Sequence, residues 1–536
     1  MNNLFIVDLL HSPTQQQWKK IEIKHHHGIA IPLFSLHTTQ SCGIGEFLDL
    51  IPLIDWCHSI GYDVIQLLPL NDSGRGSSPY SAQSAFALNP IYLSLHDLPY
   101  LKDYPSLKKE LAYLSQSLSH FNKIHYSLVM EKKLDFFSQY LKHVENQIKE
   151  NEDYVKFIQE ANFWLKEYVV YKILMEKNHF QSWENWPLEE QSPTPHSIEQ
   201  VINENPKKFL FYSILQFLCD QQLRKAKEYA SLKQVFIMGD IPILIDRNSA
   251  DVWYHRHFFE LNFSAGAPPD MYSEEGQNWG FPLYHWESLS RTNYQWWRER
   301  LKWANRYYHI YRIDHIVGFF RIWSIPIGKK SKEGKYHPLN ETIWIEHGKK
   351  ILSMMIDSCE MLPIGEDLGT VPPEARVCLR SLGICGTKVM RWERKWHEEN
   401  QFINVKDYPL LSLTTVGTHD SETLQIWWRE NIQDAKDFSD FKGWVYQPIL
   451  SREHHREILW DSHHSQSLFH VNPLQEYFVL VRGLSWPNLE DERINLPGTF
   501  SNDNWSYKLK PSIEELASNQ LLMDTMRKLI QDINGA

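Results

Sequence analysis

The stretch Tyr311-Arg312-Ile313-Asp314-His315-Ile316-Val317-Gly318-Phe319-Phe320 closes an apolar run with three ionisable side chains in four positions. Residues 307–313 are rich in aromatic and β-branched side chains and suit a half-buried strand. Charges at the end of such a strand cost free energy unless each is paired. Arg312 and Asp314 therefore belong to a structural ion network or line a pocket. This stretch alone leaves both readings open, and Gly318-Phe319-Phe320 reads as a turn packing on the body of the protein.

Similar apolar runs lie at residues 28–34 (GIAIPLF), 63–70 (DVIQLLPL), 234–245, 361–368, 387–392, 412–417 and 477–483. Helical patterns separate them, for example at 285–306 and 344–359. Buried strands alternating with helices, about eight strands in all, predict a parallel (β/α)8 TIM barrel, an α/β fold. Residues 1–27 form an N-terminal segment and 28–99 the first part of the barrel. Residues 100–230 change character to a Lys/Glu/Leu/Tyr-rich helical insertion without strand patterning. There Trp164, Tyr168, Tyr171 and Met175 fall on one helix face and read as core. Residues 231–536 complete the barrel, with a long covering loop at 246–282, a C-terminal amphipathic helix at 513–533 and no separate C-terminal β-sandwich domain. Gly43-x-Gly45 lacks the third glycine of a dinucleotide turn, so a Rossmann reading is rejected.

The 536-residue chain carries a formal charge of −11 with bases and acids interspersed, which excludes the basic face a nucleic-acid binder needs. Its 21 Trp, 25 Tyr and 26 Phe suit either a ring-rich core or platforms for sugars, and composition does not choose. Six scattered cysteines without C-x-x-C pairing read as reduced thiols of a cytoplasmic protein. No signal peptide and no membrane-spanning run is evident. His25-His26-His27, His454-His455 and His463-His464 read as solvated segments, and no zinc spacing occurs.

Four acids sit at or just beyond strand ends: Asp240, Asp314, Glu366 and Asp420. In a barrel they converge on the carboxyl-terminal mouth, where barrel active sites lie. Any one alone reads as a cap or a salt-bridge partner. Four on one rim, with Arg312, His315 and His419, point to a site. Clustered carboxylates without metal-ligand spacing suit glycosidic-bond chemistry, which needs one ionised carboxylate and one protonated acid. Arg312, two residues before Asp314 on the same strand face, would favour the ionised form. Asp314 and Asp420 would keep Glu366 protonated.

The motifs Gly239-Asp240-Ile241-Pro242, Arg312-Ile313-Asp314-His315, Gly365-Glu366-Asp367-Leu368-Gly369 and Thr418-His419-Asp420, in this order, resemble those of the amylomaltases. These are 4-α-glucanotransferases, or disproportionating enzymes, of the α-amylase clan. Ser78-Pro79-Tyr80-Ser81, Gly266-Ala267-Pro268-Pro269-Asp270-Met271-Tyr272-Ser273, Gly276-Gln277-Asn278-Trp279-Gly280-Phe281-Pro282 and Arg493-Ile494-Asn495-Leu496-Pro497-Gly498-Thr499 agree. The likeness spans residues 28–507. Ala30-Ile31-Pro32-Leu33-Phe34-Ser35 and Asp246-Arg247-Asn248-Ser249 resemble the branch that includes the plant cytosolic enzyme, without that enzyme's starch-binding modules or large insert. Residues 37–42 depart from the proline-containing turn of many members.

The resemblance implies that Asp314 is the nucleophile, Glu366 the general acid/base and Asp420 the transition-state stabiliser. It implies that Arg312 and His419 support the central sugar, that Tyr80, Asp240 and Asp270 bind sugar hydroxyls, and that Trp279 stacks on or covers the glucan. Packing of Trp279 on the barrel rim is the other reading. His315 reads as a neighbouring hydrogen-bonding partner. The implied reaction is a retaining transfer of an α-1,4-glucan segment to the 4-hydroxyl of glucose or another glucan, with no cofactor or metal. The implied partners are maltodextrins, glycogen or starch fragments with glucose or maltose as acceptors, and neither nucleic acid nor membrane. A hydrolase of the same clan would use the same carboxylates. A silent glucan-binding protein would lack one of them, and a metal hydrolase would need more histidines at strand ends.

Overall fold

The computed structural model describes residues 3–269, 274–395, 401–499, 501 and 503–531. Eight strands form one parallel sheet: β1 (His26–Ala30), β2 (Val64–Gln66), β3 (Phe236–Ile241), β4 (Ile310–Ile313), β5 (Leu362–Gly365), β6 (Gly386–Val389), β7 (Ser412–Thr415) and β8 (Phe469–Pro473). Their lateral order is β5-β4-β3-β2-β1-β8-β7-β6. A parallel bridge between Ile364 and Cys385 joins the outer pair and closes the cylinder. Closure leaves no sheet edge exposed. Gly28 is needed where β1 meets β2, since a Cβ there would sit 2.5 Å from the Val64 carbonyl oxygen.

The barrel interior is packed rather than hollow. Val64, Met238, Ile310, Leu362, Leu413, Phe469 and Val471 form one buried cluster, and Trp18 joins it from the N-terminal end. The N-terminal segment is thus part of the fold. Helices Asn3–Leu10 and Gln15–Ile21 close the bottom of the barrel. There the Trp18 indole donates to the Gly383 carbonyl at 2.9 Å.

Between β2 and β3 run six long or medium helices, from Pro105–Ser119 to Pro206–Leu232. The Trp164, Tyr168, Tyr171 and Met175 stripe is buried core, as its spacing predicts. This helical layer also holds the loops of the barrel mouth. Lys133 pairs with Glu46 at 2.7 Å, both almost fully buried. Lys172 and the Tyr168 hydroxyl both reach the buried Asp72, in the loop that leads to Tyr80. Lys335–His337, Ile322–Pro326, Phe263–Ala267 and Gln277–Asn278 form an antiparallel sheet that ties the loop after β3 to the loop after β4. Among the described residues no strand follows β8, and no helix is long and apolar enough to cross a membrane.

Four expectations need correction. The eighth strand is Phe469–Pro473, and the apolar run 477–483 begins inside the helix Leu474–Phe478. The helix expected at 285–306 is two, Trp286–Arg291 and Gln295–Ala304, parted by Asn293 and Tyr294 with positive φ. The C-terminal helix likewise breaks into Ile513–Ser518 and Gln520–Ile530, with Asn519 capping the second.

The fourth correction concerns the histidines. His26 and His27 lie on β1, and His26, His455 and His463 are buried. His27 Nδ1 meets His463 Nδ1 at 3.0 Å, and its ring stacks on buried His470 with centroids 4.9 Å apart. His463 Nε2 in turn meets the Tyr477 hydroxyl at 2.7 Å. Burial pushes His27 down to about 4, against the weaker pull of Asp63. A histidine held below its ordinary value stabilises the fold above that ordinary value, and the stabilisation is lost as pH falls from there toward the folded value. We therefore expect acidification from pH 7.5 to 5 to remove about 2 kcal/mol of stability through His27 alone. Urea midpoints at the two pH values should converge in a His27→Gln variant relative to the parent. Equal pH slopes in parent and variant would contradict this account.

Candidate active site

Adjacent barrel strands deliver three of the four acids. Asp240 on β3 lies in register with Arg312 on β4, so both side chains share the inner face. Asp314 follows the last residue of β4 and Glu366 the last residue of β5, and these two strands pair directly, Ile313 beside Gly365. Asp420 comes from the loop after β7. A cleft of about 900 Å³ opens over these strand ends. Tyr80, Asp314, His315, Glu366, Asp420 and Trp279 line it.

Arg312 is the electrostatic centre. Its Nη1 donates to Asp240 Oδ2 at 2.7 Å and lies 2.8 Å from Asp314 Oδ1. Burial works against the charged guanidinium, but Asp240 and Asp314 outweigh it and hold Arg312 firmly protonated. Asp240 is fully buried, and burial outweighs Arg312 to push it up to about 6. Its Oδ2 also accepts the Tyr80 hydroxyl at 2.7 Å, whereas Oδ1 has no hydrogen-bond partner among the described residues.

Glu366 is treated differently. Burial first, then the Asp314 charge, push it up to about 7 against the opposing pull of Arg312 and two backbone amides. Those amides are His315 N–H, donating to Oε2 at 2.9 Å, and Leu368 N–H, donating to Oε1 at 2.7 Å. The sequence predicts a protonated Glu366 from neighbouring acids, and the structure makes burial the leading cause. His315 adopts a left-handed φ of 48°, which turns its amide toward Glu366. The hydrogen bond expected of His315 is thus made by its backbone. Its ring faces the cleft, edge-on to Trp279 with centroids 5.0 Å apart.

Asp420 stands opposite in character. Its side chain is 48% exposed toward the cleft, and His419 Nε2 lies 3.2 Å from Oδ2. Asn495 Nδ2 donates to Oδ1 at 2.7 Å. Enclosure by the cleft walls pushes Asp420 up, but His419, Asn495 and Arg312 together outweigh it and bring it down to about 2. His419 is buried and stacks on Tyr80, with centroids 5.2 Å apart and planes 19° apart. Trp505 packs against both rings.

Trp279 is half-buried and lines the cleft. Its backbone N–H donates to Ala265 O at 2.9 Å and its indole to Gln277 Oε1 at 3.0 Å. Rim packing and a cleft-facing ring therefore coexist. Asp270 lies outside the described residues. Sequence reasoning gave no role to Asn495, although it lies inside a motif already singled out, or to Trp505. Trp505 reaches the site through a left-handed φ of 64°, for which its sequence carries no periodic signal. Among the described residues no group of three or more histidine, cysteine or carboxylate side chains is placed to hold a metal ion.

Comparison with known proteins places this geometry. A family profile described as 4-alpha-glucanotransferase matches residues 31–514. A 4-alpha-glucanotransferase of Chlamydia pneumoniae is 44% identical, over 97% of this chain and 98% of the relative. That of Chlamydia caviae is 43% identical, over 95% of each. The solved structure of amylomaltase from Streptococcus agalactiae in complex with acarbose superposes with a TM-score of 0.81 at 22% identity, covering 94% of this chain and 98% of that one. With the profile spanning most of the barrel and full-length relatives above 40% identity, the chain belongs to the 4-alpha-glucanotransferase family.

Proposed function

We propose that this site transfers α-1,4-glucan segments by retaining double displacement, with Asp314 as nucleophile and Glu366 as general acid/base. The observation that carries the reading is the contrast between two carboxylates on adjacent strand ends. Asp314 is ion-paired to Arg312, whereas burial raises Glu366 to about 7. A protonated carboxyl beside a second, arginine-paired carboxyl group is what the two-carboxylate reaction requires.

Glu366 protonates the glycosidic oxygen as Asp314 attacks the anomeric carbon. The glycosidic C–O bond breaks, the reducing-end fragment leaves with the proton, and a β-linked glycosyl ester forms on Asp314. A second glucan then presents its 4-hydroxyl. Glu366 takes that proton, the oxygen attacks the anomeric carbon, and the ester to Asp314 breaks as a new α-1,4 bond forms.

Asp420, held low and pinned by His419 and Asn495, grips hydroxyls of the central sugar in the transition state. Arg312 and His419 support that sugar, and Tyr80 covers one face through its stack on His419. Asp240 acts mainly through Arg312 and Tyr80, with Oδ1 left to accept from a sugar hydroxyl. Trp279 supplies a ring for the glucan, and Asp270 is proposed to bind hydroxyls from the same loop. Transfer rather than hydrolysis follows if the loop bearing Trp279 keeps water from the glycosyl ester. We place the activity in the cytoplasm on maltodextrins, glycogen or starch fragments, with glucose or maltose as acceptors. Six free thiols fit that compartment.

Pure maltotriose should yield glucose and a ladder of longer maltodextrins without net gain of reducing ends. Steady release of reducing ends would instead identify a hydrolase. Asp314→Asn should lose activity by at least about 10³-fold, since the nucleophile is removed. Near-normal transfer in that variant would remove the assignment.

The raised Glu366 gives a pH prediction. The acid form is the one that starts the reaction, so kcat/KM for maltotriose should decline above about pH 7. Glu366→Gln should abolish this limb and lower kcat by about 10²- to 10⁴-fold. A basic limb that persists in the variant would assign the limb to another group.

A further inference from the structure

The loop that carries His419 and Asp420 has no sheet of its own. After Thr415 the chain leaves β7, and residues 416–424 are held by side chains rather than by strand pairing. Val416 is gripped on both sides of its backbone. Its N–H donates to Asn472 Oδ1 at 2.9 Å, and its carbonyl accepts from Arg391 Nε at 3.0 Å. Asn472 lies on β8 and Arg391 in the short turn Met390–Trp392 after β6. Both are buried.

The same Arg391 reaches the far end of the loop. Its Nη1 donates to Glu422 Oε1 at 3.3 Å, and its guanidinium lies over the Trp427 ring at 5.5 Å. The neighbouring carboxylate Glu476, also buried, accepts the Leu424 N–H at 3.0 Å. Between these anchors, Gly417 passes so close that a Cβ would lie 2.6 Å from Arg391 Nη2. A planar fork with donors in two directions can bridge two chain segments in a way that the single ammonium of lysine cannot.

We propose that Arg391 is a positioning residue for the transfer reaction. It staples Val416 to Glu422, and so sets the loop that aims Asp420 and His419 at the sugar. The inference rests on the reading of Asp420 as the group that stabilises the transition state. Arg391 itself does not line the cleft. Its effect passes through the backbone of residues 416–422, and Gly417 is the position where the loop accommodates the guanidinium.

The test is a double-mutant cycle on the full-length enzyme with maltotriose as donor. Arg391→Lys keeps a charge but loses the fork. It should lower kcat by about 10- to 100-fold with KM within about threefold, because a misaimed Asp420 is felt in the transition state. Asp420→Asn should lower kcat at least as far. The double variant should be no slower than Asp420→Asn alone, within about threefold, since both changes remove one function. Gly417→Ala, which crowds the guanidinium without removing it, should repeat the kcat loss with an unfolding midpoint near that of the parent. The proposal is overturned if Arg391→Lys and Gly417→Ala keep kcat within threefold of the parent. It is also overturned if the losses of Arg391→Lys and Asp420→Asn multiply, as they would for two independent defects or a general loss of folded enzyme. If Asp420→Asn alone keeps kcat within threefold, the reading of Asp420 fails, which is a different result from failure of the staple.

Discussion

One buried guanidinium organises this protein. Arg312 sits on the inner face of β4 with Asp240 on one side and Asp314 on the other, both within 3 Å of the same nitrogen. A buried cation is tolerable only because two carboxylates surround it, and the carboxylates are tolerable only because it is there. The pairing needs β3 and β4 in parallel register, with Asp240 opposite Arg312. It also needs the barrel closed, so that no sheet edge remains and the strand ends face a single cleft. The barrel is therefore the means by which two carboxylates and one arginine meet without solvent between them.

From that centre the site grades outward. Glu366, one strand away, is deprived of water but given two backbone amides. Asp420, three strands round from β4 and on a loop, keeps access to the cleft and is pinned by His419 and Asn495. The helical layer between β2 and β3 buttresses the loop that bears Tyr80, through Asp72 with Tyr168 and Lys172. The small antiparallel sheet does the same for Trp279. Each of these cleft groups is thus fixed from behind by packing or by a second hydrogen bond, which is the condition for electrostatic stabilisation without reorganisation.

How much of this was legible in the sequence varied with the physical signal. Asp314 and Glu366 stand directly after apolar strand ends, so a strand pattern and a carboxylate together located them. β8 was missed because its residues, Phe469, His470, Val471, Asn472 and Pro473, include polar groups that are buried and paired, His470 to Ser462 and Asn472 to Val416. The more apolar run after it is helical, and an apolar run by itself does not separate a buried strand from a buried helix. The histidines misled for the same reason: polarity was read as solvation, whereas His27, His463 and Tyr477 satisfy one another inside. The causes of the Glu366 shift, the His315 amide and the reach of Trp505 depend on burial and left-handed backbone that no local pattern encodes.

The central claim is that a covalent bond forms at Asp314 and that Glu366 governs its formation and breakdown. It is tested most directly by trapping the intermediate. In a Glu366→Gln variant supplied with α-maltosyl fluoride, fluoride leaves without acid assistance, while breakdown lacks its base. Mass spectrometry of the quenched, digested protein should then show a maltosyl adduct on the peptide containing Asp314. An adduct on Asp240 or Asp420, or turnover of the fluoride with no adduct at all, would contradict the account.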